Sequence, residues 1–149
     1  MNRNPSGLLF SLCIDGFVKY KTAEGLSQRT VDSYEWVLRK WMEKIGDQPV
    51  GKITSADVLD YMTYLRTEYV PHTFAKPNPA HEAPTRKLSP KTLRNHWITF
   101  KAFFGWAVAE FKIKNPMEGI PGPRYKEAPV AAFTQEDLTA LLKACVYSR

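Results

Sequence analysis

Ser89-Pro90-Lys91-Thr92-Leu93-Arg94-Asn95-His96-Trp97-Ile98-Thr99-Phe100-Lys101-Ala102-Phe103-Phe104-Gly105-Trp106-Ala107-Val108-Ala109-Glu110-Phe111 carries a single unbroken period. Leu93, Trp97, Phe100, Phe104, Ala107 and Phe111 recur at spacings of three and four, the signature of an amphipathic helix. Ile98, Ala102 and Trp106 widen that stripe, so the helix is expected to be central and packed by several neighbours. Its start is marked twice. Ser89 is a good N-cap, and Pro90 sits at the first helical position, where a missing N–H costs nothing. Asn115-Pro116 is expected to close it.

Three shorter helical patterns precede this one. The first is expected from about Ser6 to Ala23, with Phe10, Cys13, Ile14, Phe17 and Tyr20 at helical spacing and Gly25 as its stop. The second opens at Ser27 and carries Val31, Tyr34, Leu38, Trp41, Met42 and Ile45 on one face, ending at Gly46. The third opens at Thr54 with Asp57 three residues on, a capping-box arrangement. Val58, Tyr61, Met62 and Leu65 mark its buried side. Between it and the central helix lies a loop, Val70 to Leu88, with four prolines and the histidines His72 and His81. Loops of about this length are functional or mobile. Two histidines without a second ligand pair make a poor zinc site, so no metal is expected.

Downstream, Pro121, Pro123 and Pro129 with Gly119 and Gly122 read as a semi-rigid linker. A last short pattern begins at Thr134, with Leu138, Leu141 and Leu142 on one face. The expected organisation is an all-α domain of four helices over 1–116, a linker over 117–132 and one short orphan helix over 133–149. No strand is expected.

Composition agrees with a globular chain. Of 149 residues, 44% are hydrophobic, and 13% are aromatic, which excludes a wholly disordered protein. The two cysteines, Cys13 and Cys145, are far apart and suit reduced thiols in a cytosolic protein. No apolar run approaches the roughly 20 residues a membrane span needs, and no signal peptide is apparent. A soluble, cytoplasmic protein is expected.

The net charge of +6 is clustered. From Ala83 to Ala109 there is no Asp or Glu, while Arg86, Lys87, Lys91, Arg94 and Lys101 fall within it. At about 100° per residue, Lys91, Arg94, Asn95 and Lys101 lie opposite the Leu93–Phe104 stripe. The helix N-terminus suits phosphate, Ser89 and Thr92 add hydroxyls, and Arg94 and Asn95 are residue types that read base edges. A charged helix face is also what ordinary solvation produces; the lack of acids favours a polyanion. Ser27, Gln28, Arg29, Thr30 and Ser33, at the start of the second helix, with Lys40 and Lys44 farther along, form a second candidate cluster that Asp32, Glu35 and Glu43 interrupt. In and just before the linker, Lys112, Lys114, Arg124 and Lys126 stand against Glu118 and Glu127 and suit either a phosphate contact or a soluble tether.

Taken in order, these pieces resemble the N-terminal core-binding (SAM-like) domain of tyrosine recombinases, the phage-integrase family. Gly25-Leu26-Ser27-x-x-Thr30-x-x-x-Tyr34-x-x-x-Leu38-x-x-Trp41 resembles its second helix. Ile53-Thr54-x-x-Asp57-Val58-x-x-Tyr61 resembles the opening of its third. Ser89-x-x-Thr92, then Phe103-Phe104-x-x-Ala107, is similar to its fourth, and Asn115-Pro116 to its exit. Phe133-Thr134-Gln135-Glu136-Asp137-Leu138-x-x-Leu141-Leu142 resembles the opening of its catalytic domain. The Val70–Leu88 loop departs from the pattern by its length.

The resemblance implies a helical clamp on double-stranded DNA at a recombination site, with the second and fourth helices facing the duplex. It implies no cofactor, and no catalytic residue in this chain. A tyrosine nucleophile and its charge-stabilising partners belong to a catalytic domain beyond Arg149. Tyr34 and Tyr61 are therefore expected to pack. Implied partners are that catalytic domain and other recombinase protomers on DNA. Two other readings remain open: a helical protein–protein interaction module, and a small DNA-binding regulator. The long loop before the candidate reading helix argues against a helix-turn-helix.

Overall fold

The computed structural model describes residues 7–71, 87–124 and 134–146. Among them are five α-helices and no strand: α1 (Phe10–Glu24), α2 (Gln28–Ile45), α3 (Ser55–Thr67), α4 (Pro90–Phe111) and α5 (Gln135–Val146). The protein is all-α. A single 3-10 turn, Val50–Lys52, joins α2 to α3.

The local signals act where expected. The Thr30 N–H donates to Ser27 Oγ at 3.3 Å, capping α2. Thr54 and Asp57 form a reciprocal capping box at α3: the Thr54 N–H donates to Asp57 Oδ2 at 2.8 Å, and the Asp57 N–H to Thr54 Oγ1 at 3.3 Å. The Thr92 N–H donates to Ser89 Oγ at 3.2 Å, with Pro90 beginning α4. Gly25 stops α1 with φ at 95°, a left-handed conformation that a side chain would strain.

Three expectations about element ends and faces are corrected. α1 starts at Phe10, because Leu8 and Leu9 are held outside the helix. The Val50 N–H donates to the Leu8 carbonyl and the Phe10 N–H to the Gln48 carbonyl, both at 2.9 Å. Ser11 reinforces that clasp, its N–H and Oγ both donating to the Asp47 carboxylate. α4 ends at Phe111 rather than running to Asn115-Pro116, because Lys112 adopts φ 54°, ψ 39° and turns the chain. Tyr20 and Ile98, assigned to apolar stripes, are 51% and 39% exposed.

The core is aromatic and α4 is its axis, packed against α1, α2 and α3. Trp41 of α2 is fully buried, with ring centroids 4.6 Å from Phe100, 5.5 Å from Phe10, 5.8 Å from Phe104 and 5.9 Å from Tyr61. Phe103, outside the expected stripe, is also fully buried, between Phe10 and Phe17. Such edge, tilted and stacked contacts add to the burial of apolar area. Cys13 is buried beside them, and burial pushes its thiol up to about 11, with the Asp47 charge adding to the effect. It is held as an unreactive thiol. The chain after α4 stays on the core: Met117 is buried and Ile120 packs against the cluster.

On α5 the Thr134–Asp137 capping bonds are present. Leu138, Leu141 and Leu142 are 45%, 51% and 68% exposed. No helix among the described residues is long and apolar enough to cross a membrane.

Candidate nucleic-acid interface

One residue of the α4 cluster, Asn95, meets the α2 cluster in space. Arg29, Thr30, Ser33 and Tyr34 of α2 and Asn95, Ile98 and Thr99 of α4 line one shallow groove of about 330 Å³. Sequence reading named Arg29, Thr30 and Ser33 in one cluster and Asn95 in the other. It missed Tyr34, Ile98 and Thr99 as lining residues. Ile98 was findable, since five steps of about 100° from Leu93 carry it to the outward side of α4.

Both helices enter this region through the same device. In α2, Ser27 Oγ and Thr30 Oγ1 lie 2.9 Å apart. In α4, Ser89 Oγ and Thr92 Oγ1 lie 2.9 Å apart. Each pair shares one hydroxyl hydrogen and retains one to donate outward. The four hydroxyls thus cap helices first, and any further contact is made by what remains. Gln28 is engaged as well, its Nε2 donating to Asp32 Oδ1 at 2.7 Å.

The outward face of α4 carries the charge. Lys87, Lys91, Arg94, Asn95 and Lys101 are all exposed. Among the described residues, none of Arg29, Lys87, Lys91, Arg94 and Lys101 is in a salt bridge; the four bridges present are Lys21–Glu24, Arg39–Asp15, Arg39–Glu35 and Lys40–Glu43. Lys101 Nζ instead lies 5.0 Å from the centre of the Trp97 ring, within the range of a cation–π contact. Arg86 lies outside the described residues, as do His72, His81, Lys126 and the side chain of Cys145.

Trp97 is corrected from core to flank. It is half-buried, and its ring covers Gly122, where an added Cβ would meet ring carbons at 3.4–3.5 Å. The positions that complete the buried side of α4 are His96 and Thr99, 4% and 3% exposed. Each is satisfied by its own helix. His96 Nδ1 is 2.9 Å from the Thr92 carbonyl, and Thr99 Oγ1 donates to the Asn95 carbonyl at 2.9 Å. Burial lowers the His96 pKa, so the ring is kept neutral, and the Nδ1–H is the donor in that bond.

A second hollow, of about 300 Å³, lies among Trp36, Tyr61, Tyr64, Tyr69 and His96. Its cations are already engaged. Lys44 Nζ sits 4.1 Å from the Tyr64 ring centre and Lys40 bonds Glu43 at 3.3 Å. Tyr61 is 5% exposed and burial raises its hydroxyl pKa, the reverse of what activates a phenol as a nucleophile. Tyr34 packs against Phe17 at 5.8 Å. Among the described residues no cluster of His, Cys, Asp or Glu could hold a metal ion.

The arrangement is thus a hydroxyl-capped, cation-bearing surface built from the N-terminal halves of two helices. No known family profile, no curated protein and no solved structure matches the chain.

Proposed function

We propose that this chain binds double-stranded DNA through the N-terminal halves of α2 and α4, as the core-binding, SAM-like domain of a tyrosine recombinase does. The observation that carries the reading is the shared groove. Arg29 and Thr30 of one helix and Asn95 of the other line it, beside a face of α4 whose cations have no acidic partner among the described residues. The order of the quoted motifs supports the recombinase assignment. In that reading strand cutting and joining at the ends of a mobile element belong to a catalytic domain of the same polypeptide. This chain contributes grip and register, with other protomers on the same DNA and in the nucleoid compartment.

Binding is expected to be weak and strongly salt-dependent, because neutralising several phosphates releases counterions. Orders of magnitude in affinity are lost between low and moderate salt. A gel-shift titration across salt concentration, with duplexes of different sequence, measures this. Absence of binding to any duplex at low salt would refute the proposal.

One observation favours a protein-binding role as a second reading. Leu138, Leu141 and Leu142 of α5 present an exposed apolar side, a feature of surfaces that meet another protein.

A further inference from the structure

Ile98 stands among mostly polar neighbours on the outward side of α4. It is 39% exposed. Residues three and four apart on a helix are adjacent, so Arg94, Asn95, Lys101 and Ala102 surround it. A single exposed apolar residue is ordinary; this one shares a groove with Asn95, Thr30 and Arg29. The Asn95 side-chain amide makes no hydrogen bond among the described residues, whereas its backbone carbonyl is taken by Thr99. A carboxamide ready to bond therefore lies one turn from an exposed branched alkyl group, with the exposed cations Arg94 and Lys101 on the same helix.

The surface also permits close approach. Gly105 lies seven residues beyond Ile98, near the same side of α4, and is exposed. Apart from its own helix backbone and chain neighbours, no atom among the described residues comes within 4 Å of where its Cβ would be. Internal packing does not require glycine there, and glycine inside a helix is unfavourable relative to alanine. An external body lying against α4 would make use of the missing side chain.

In the major groove an A·T pair presents two features side by side. Adenine offers the N7 acceptor and N6 donor that a carboxamide matches with two bonds, and thymine offers its C5-methyl group to an apolar side chain. We infer that α4 reads an A·T pair, Asn95 taking the adenine edge and Ile98 packing on the thymine methyl. This rests on the DNA-binding reading above and adds the sequence preference to it. Arg94 and Lys101 flank the reading pair and hold phosphate or a neighbouring guanine.

The test uses the full chain and a pool of duplexes with a randomised centre. Selection at low salt should enrich an A·T pair at a fixed position. Replacing that thymine by deoxyuridine removes only the methyl group and should weaken binding about three- to fivefold, the effect of exposing roughly one buried methylene-sized group. Ile98→Ala should bind thymine and deoxyuridine duplexes equally, with an unchanged melting curve. Asn95→Ala should lose the adenine preference. Selection without sequence preference, or indifference of the parent to deoxyuridine at every thymine, overturns the inference while leaving phosphate-based binding in place. Persistence of the deoxyuridine effect in Ile98→Ala also overturns it. Failure of the whole pool to bind refutes the DNA reading itself.

Discussion

Phe100 and Arg94 lie six residues apart on one helix and have opposite duties. Phe100 is fully buried against Trp41 and Tyr61; Arg94 is exposed and outside every salt bridge among the described residues. Truncating a buried aromatic to alanine costs about 3–5 kcal/mol, a large share of the roughly 5–15 kcal/mol that holds a domain together. Phe100→Ala should therefore lower the melting temperature sharply, and any loss of DNA binding should follow the loss of fold. Arg94→Ala should melt within about 0.5 kcal/mol of the parent. It should still weaken binding, by about 1–3 kcal/mol with relaxed specificity if Arg94 reads a base, or evenly across sequences if it holds a phosphate. Thermal melts and binding isotherms on the two variants separate core from contact. Trp97 is the poorer probe, being half-buried between Lys101 and Gly122. At this scale the sequence misled where polarity was satisfied locally. His96 and Thr99 are buried because they bond carbonyls of their own helix, and no hydrophobic pattern registers that.

At the scale of the element, the starts of α2, α3 and α4 and the glycine stops of α1 and α2 were legible; the start of α1 and the end of α4 were not. Ser27, Thr54 with Asp57, and Ser89 with Pro90 act through side chains and ring geometry within three residues, so the local sequence suffices. The end of α4 depends on Lys112 in a left-handed conformation at φ 54°, which for a side-chain-bearing residue costs about 1–2 kcal/mol. Nothing in the residue type announces it; the packing of Ile113 and Met117 on the core redirects the chain there. The start of α1 likewise depends on Gln48 and Val50, forty residues away. Gly105 gives an element-scale prediction with two signs. Alanine fits without a clash, so Gly105→Ala should stabilise α4 by about 0.5–1 kcal/mol. If DNA lies against that side, the same variant should bind more weakly than the parent. A chemical melt and a binding isotherm on one preparation read both. Higher stability with unchanged binding would move the duplex away from the C-terminal half of α4.

For the whole molecule, the all-α architecture and the charge on α4 followed from periodicity and from the gap in acidic residues. The groove between α2 and α4 did not, since it arises from how two helices far apart in sequence pack. The groove brings Asn95 beside Arg29 and Thr30 and, under the proposed function, gives the acid-interrupted start of α2 a role beside α4. The same view predicts how the chain divides. Trp41, Phe100, Phe103 and Phe104 centre the core on α1 to α4, and Met117 and Ile120 close it. The leucines of α5 keep roughly half or more of their surface in solvent, so they contribute little to that core. A chain ending at Arg124 should then melt within a degree or two of the full chain and bind DNA with the same salt slope, as followed by circular dichroism and gel shift. A fall in melting temperature of roughly 5 °C or more, which for a domain of this size corresponds to about 1 kcal/mol, would mean that α5 packs on the core. If the full chain instead self-associates with rising concentration and the shortened one does not, as light scattering would show, the apolar side of α5 is a protein contact. The DNA surface on α2 and α4 and the protein surface on α5 would then be separate functions of one chain.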